Sequence, residues 1–126
     1  MTFSGLGMHM GSLSRLSDAQ TRSISPENFS SGKGACGQST DGPAASAARG
    51  LGQGWKVSPY VLIEPGKTFM LADIEGSGAI QHIWMTLACG KWRHTILRVY
   101  WDDDPQPSIE CPAGDFLPVV GRVMHK

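Results

Sequence analysis

The sequence lacks an excess of charge of either sign: 11 Lys and Arg stand against 11 Asp and Glu, for a formal net charge of zero. A general nucleic-acid binder carries a basic surplus to neutralise phosphates, so no nucleic-acid partner is expected. Long apolar runs are also missing. Nothing approaches the roughly 20 consecutive apolar residues that span a bilayer, which argues against a membrane partner. The opening MTFSGLGMHMGS has neither the basic segment nor the continuous apolar stretch of a secretory signal, so the expected location is cytoplasmic. Cysteine is scarce. Cys36, Cys89 and Cys111 are odd in number and irregularly spaced, which reads as free thiols in a reducing compartment.

Large side chains are missing from the first part of the chain. Only two of the aromatics, Phe3 and Phe29, precede residue 51, whereas Trp55, Trp84, Trp92 and Trp101 all follow it. A segment so poor in large apolar groups cannot bury enough surface to offset its ordering entropy. Residues 1–54 are therefore expected to be irregular and rich in Gly and Ser, ordered by packing on a sheet or a partner. Within them, Pro43–Arg49 (PAASAAR) is alanine-rich enough for two helical turns before Gly50 ends them.

What the chain does have is turn residues. Its 16 glycines and 8 prolines break helix interiors and favour a turn-rich β protein. With 126 residues there is room for one domain of ordinary size. Residues 55–126 read as short strands: 57–63, 68–74, 79–87, 95–101 and 108–111. Turns separate them at Glu64-Pro65-Gly66-Lys67, Gly76-Ser77-Gly78 and Asp102–Pro107. The clearest strand is Thr95–Trp101, where Leu97, Val99 and Trp101 share one face and Ile96, Arg98 and Tyr100 the other. The pattern predicts an all-β fold, an antiparallel sandwich or jelly roll, with residues 55–126 forming its strands.

Motifs that carry chemistry are sparse. Gly32-Lys33-Gly34-Ala35-Cys36-Gly37 satisfies the letters G-x-G-x-x-G, but Asn28-Phe29-Ser30-Ser31 before it is no buried strand, so the reading is a flexible loop. His82 and His94 lack metal-motif spacing, and the cysteines form no C-x-x-C pair, so no metal and no cofactor are expected. Asp73 and Glu75 lie two apart, and Glu110 and Asp115 flank Pro112. Such carboxylates could in principle serve a glycosidase, yet Asp73 beside a Gly-Ser-Gly turn reads better as a turn cap.

Three blocks carry a resemblance. Leu13–Asn28 (LSRLSDAQTRSISPEN), Glu64–Leu87 (EPGKTFMLADIEGSGAIQHIWMTL) and Leu97–Phe116 (LRVYWDDDPQPSIECPAGDF), in that order, resemble the DUF2961 family, classed as glycoside hydrolase family 172. Lys67, Ser77 and Leu117 depart from its usual Glu, Pro and Phe. The resemblance implies a β jelly roll, with two jelly rolls per protomer and trimeric or higher homo-oligomers. It implies a furanose-containing carbohydrate as partner and a retaining mechanism using two glutamates. Those glutamates belong to the family's C-terminal half and none of them is matched here, so no catalytic residue is assigned. The chain then reads as an N-terminal portion of a member, truncated or frameshifted and inactive alone. In the family the SISPEN region lies near the sugar, which makes Arg22, Ser25, Glu27 and Asn28 the candidate substrate contacts. The competing reading of those four is a loop whose polar groups cap its own backbone. Trp84 and Trp101 are expected as core or interface anchors, and Arg98 as a partner of Asp102 or Asp115. The alternative function is a non-catalytic carbohydrate-binding or assembly jelly-roll module.

Overall fold

The computed structural model describes Met10, Ser14, residues 18–88 and residues 90–117. Cys89, His125 and the tail 118–126 lie outside the described residues, as do Phe3 and, in the block that begins at Leu13, residues Leu13, Arg15, Leu16 and Ser17. The chain forms two compact units, Met1–Gln81 and His82–Lys126.

In the first unit the alanine-rich stretch forms one short helix, α1 (Ala45–Ala48), a single turn where two were expected, and Gly50 follows it at φ +78°. Four residues are too few to persist alone, since helix nucleation costs more than one turn returns. An outside contact holds this one: the Ala44 N–H donates to the Val57 carbonyl at 2.8 Å. Val57, 2% exposed, is the most deeply buried large side chain of the unit. Gly42 lies so close to Val57 that a β-carbon there would meet the Val57 oxygen at 2.4 Å. Only glycine fits. Phe29 completes the attachment with an edge-to-face contact on Phe69, centroids 5.6 Å apart.

The 57–63 and 68–74 segments are not hydrogen-bonded into a sheet. Between them the predicted turn is present: the Lys67 N–H donates to the Glu64 carbonyl at 3.1 Å, with Gly66 at φ +75°. A proline at the second position and a left-handed glycine at the third make this a type II turn. No hydrogen bond joins the Asp73 carboxylate to the Gly76 turn among the described residues, so its expected cap is not formed there.

The second unit carries the one sheet among the described residues. Strands β1 (Ile96–Val99) and β2 (Ile109–Pro112) pair antiparallel, with Leu97 opposite Cys111 and Arg98 opposite Glu110. Alternation sorts the faces as the sequence predicts. Leu97 is buried and Val99 half-buried, while Ile96, Arg98 and Tyr100 are exposed. Trp101 departs from that pattern and is exposed. The intervening turn rests on Asp102 and Asp103, both left-handed at φ 52° and 59°, with the Asp104 N–H donating to the Trp101 carbonyl. Aspartate tolerates that region better than most residues because its side chain hydrogen-bonds locally.

Pro112 ends β2 and leads into a short helix, α2 (Ala113–Phe116). Here too a glycine permits close approach: the Gly114 N–H donates to the Trp92 carbonyl at 3.1 Å, and a β-carbon on Gly114 would meet Trp92 Cβ at 2.9 Å. Arg98 pairs with Glu110 directly across the ladder at 2.6 Å, and Asp115 pairs instead with Arg93. The expected partners, Asp102 and Asp115, are thus corrected: Asp102 belongs to the turn, and register places Glu110 opposite Arg98. Residues 79–87 form no strand, with Ile83, Met85 and Leu87 half-buried and His82, Trp84 and Thr86 exposed. What the described residues show is a two-stranded antiparallel sheet and two single-turn helices, compatible with a mostly-β chain.

Candidate functional site

Ser25, Pro26, Glu27 and Asn28 form a tight turn closed by two backbone bonds. The Ser25 N–H donates to the Asn28 carbonyl at 3.2 Å, and the Asn28 N–H returns to Ser25 at 2.8 Å. Pro26 presets the first corner, and the Ser25 hydroxyl accepts from the Glu27 N–H at 3.3 Å. The turn sends its last two side chains, Glu27 and Asn28, to different tasks.

Asn28 is buried, 7% exposed. Its amide nitrogen donates to the Gly32 carbonyl at 2.8 Å, and its amide oxygen accepts from the Gly32 N–H and the Ser30 hydroxyl. A side-chain amide here replaces a strand partner and closes the loop 29–31, in which Ser31 is held left-handed at φ 54°. Glu27 reaches across the unit, and one carboxylate oxygen accepts from the Ser58 N–H at 2.5 Å. Its second oxygen, Oε2, is buried with no hydrogen-bond partner.

Gly32–Ala35 forms the next turn. The Ala35 N–H donates to the Gly32 carbonyl at 3.2 Å and Gly34 takes φ +71°, so the glycine-rich letters serve a type II turn. Beside it lies a recess of about 230 Å³ lined by Thr21, Arg22, Ser23, Asn28, Ser31, Gly32, Lys33, Gly34 and Cys36. Arg22 is exposed and steadied by donating to the Thr21 carbonyl at 3.0 Å and to Gln20 Oε1 at 2.6 Å. Of the four candidate contacts, the structure brings Arg22 and Asn28 to the recess. Ser25 and Glu27 are turned to backbone duties. Lys33 is the recess residue that motif reading passed over; its signal was a cation between two glycines in a loop.

The carboxylates are otherwise committed or open to solvent. Glu110 is held by Arg98, whose guanidinium is pushed above its ordinary value, first by that hydrogen bond and then by the charge of Glu110. Glu64 and Glu75 are exposed beside turns. Among the described residues no group of three His, Cys, Asp or Glu side chains is placed to hold a metal ion. No helix among them is long and apolar enough to cross a membrane.

The observation that decides the family is a match of the GH172 domain-like model to residues 56–121, just over half of the chain. The chain belongs to glycoside hydrolase family 172. No curated protein matches it. The GH172 match covers two of the three blocks on which the resemblance rests, Glu64–Leu87 and Leu97–Phe116, and includes the hairpin of β1 and β2. Membership places the chain among carbohydrate-directed proteins. Within the GH172-matched residues, Trp84 and Trp101 are exposed, 74% and 52%, which removes them from the core of the described structure. Trp92 is half-buried against Gly114.

Proposed function

We propose that this chain supplies jelly-roll strands to a furanoside-directed GH172 protein and does not by itself hydrolyse glycosides. The observation that carries the reading is the family match over residues 56–121, taken with how the glutamates are used. Retaining hydrolysis needs a nucleophile and an acid/base about 5–5.5 Å apart, the acid raised in pKa by burial. Glu27 holds the Ser58 backbone and Glu110 holds Arg98, while Glu64 and Glu75 stand exposed at turns. Only Glu27 carries a buried carboxylate oxygen, Oε2, and its other oxygen is committed to the Ser58 N–H, while Glu64, Glu75 and Glu110 are exposed. On this reading residues 55–126 form the jelly-roll part, residues 1–54 pack against it, and the working assembly is a trimer or larger homo-oligomer in the cytoplasm.

The test is direct. Purified chain is incubated with aryl arabinofuranosides and aryl fructofuranosides, beside a Glu110→Gln variant. No turnover is expected from either protein. Turnover that survives purification and disappears in the variant overturns the inactive reading and makes Glu110 a catalytic group.

A second reading, a non-catalytic carbohydrate-binding module, draws on a separate observation: Trp55, Trp84 and Trp101 are exposed. Indole faces in water are the usual platform for sugar rings, since they offer apolar area with a polar edge. Quenching of tryptophan fluorescence by arabinan that Trp84→Ala abolishes would favour this module over the enzyme part.

A further inference from the structure

The recess beside the Gly32–Ala35 turn has a charge that the chain as a whole lacks. Its nine lining residues include two cations, Arg22 and Lys33, and no carboxylate, although the sequence is balanced at zero. The carboxylates nearest in sequence to Arg22 are Asp18, which is exposed, and Glu27, which spends one oxygen on the Ser58 N–H and keeps the other buried. Lys33 has no ion-pair partner among the described residues. Arg22 uses two of its five N–H donors on Thr21 and Gln20, which orients the guanidinium and leaves three for a ligand.

Neutral donors are available among the same residues. Thr21, Ser23 and Ser31, which line the recess, carry hydroxyls, and the backbone N–H groups of Lys33 and Gly34 have no acceptor among the described residues. Asn28 has committed its amide oxygen to Gly32 and Ser30, so the side chain facing this recess retains donor capacity only, in its second amide hydrogen. Two cations with hydroxyl and backbone donors form a set suited to an oxyanion, because charge-assisted hydrogen bonds are the stronger kind. The size agrees. At about 230 Å³ the recess falls below the roughly 300 Å³ at which drug-sized sites begin, room for a charged group and part of one ring.

We infer that the Arg22–Lys33 recess binds the phosphate group of a phosphorylated monosaccharide. The sugar half of this inference rests on the carbohydrate reading above, and the phosphate half rests on the recess alone. Arg22 supplies planar paired donors, Lys33 a mobile point charge, and the glycine turn lets the backbone approach.

Isothermal titration of the intact chain with fructose 6-phosphate, inorganic phosphate and fructose separates these halves. Fructose 6-phosphate should bind most tightly, phosphate more weakly, and fructose not measurably. Arg22→Gln and Lys33→Gln should each weaken fructose 6-phosphate about tenfold, and added salt should weaken it further, while Lys67→Gln, outside the recess, leaves it unchanged. Phosphate binding as tightly as fructose 6-phosphate overturns the sugar half and leaves a free-phosphate site. Equal binding of fructose and fructose 6-phosphate, indifferent to both variants, overturns the phosphate half while the carbohydrate reading stands. If none of the three binds, the inference fails, and the furanoside assays above still judge the family reading independently.

Discussion

The Glu27 carboxylate accepts a hydrogen bond from the Ser58 N–H across a separation of 31 residues. It ties the SISPEN turn to the residue that follows buried Val57. A loop with almost no large apolar side chains is thereby fastened by one charged acceptor, where a core would ordinarily do the fastening.

Removing that acceptor should release the loop. Glu27→Ala is expected to destabilise the region by about 1.5–3 kcal/mol, the range for hydrogen bonds to charged groups. Hydrogen exchange at the Ser58 amide should quicken at least tenfold, and Glu27→Gln, which keeps an acceptor, should quicken it less. Unchanged Ser58 protection in Glu27→Ala would show that the contact holds nothing.

Gly42 offers a steric test. A β-carbon there meets the Val57 carbonyl oxygen at 2.4 Å, and backbone cannot yield as a side chain can. Gly42→Ala should cost about 1–3 kcal/mol through overpacking. Gly78→Ala is the control, because nothing lies within 4 Å of its added carbon, and it should stay within about 0.5 kcal/mol. Denaturant midpoints that shift equally for the two variants would refute the close approach.

The Arg98–Glu110 pair sets register rather than bulk stability. Arg98→Glu puts like charges opposite each other and should loosen the hairpin, and adding Glu110→Arg should restore it. Because Glu110 raises the Arg98 guanidinium above its ordinary value, the pair's contribution is fully present below that ordinary value and is lost only as pH climbs past the raised one. Chemical shifts of β1 should therefore show no arginine-linked change from pH 7 to about pH 11. Salt should weaken the pair, since both side chains are exposed. A double variant as loose as the single one would show that the charges do not read each other.

Exposed apolar side chains predict self-association. Leu62, Trp84 and Met70 are 86%, 74% and 71% exposed, and the segments that carry them are paired in no ladder among the described residues. Unpaired extended backbone beside apolar surface templates further pairing. Sedimentation of purified chain should show oligomers that grow with concentration. A monodisperse monomer with a cooperative melt would contradict this.

Local chemistry was legible without coordinates. Pro65-Gly66 spelled its turn, the alanines spelled α1, Gly50 spelled its end, and the alternation around Leu97 spelled which face of β1 is buried. Each depends on dihedral preference or on a period of two, and both are written into neighbouring residues. Of the candidate site, Arg22 and Asn28 were legible as polar residues of a turn-rich block, but their separation from Ser25 and Glu27 was not. Only tertiary structure decided that Glu27 meets Ser58, that Gly42 must admit Val57, that Arg98 meets Glu110, and that Lys33 joins Arg22 around one recess. These pairings lie 11 to 31 residues apart, and composition and spacing carry no record of which distant partner the folded backbone brings within hydrogen-bonding reach.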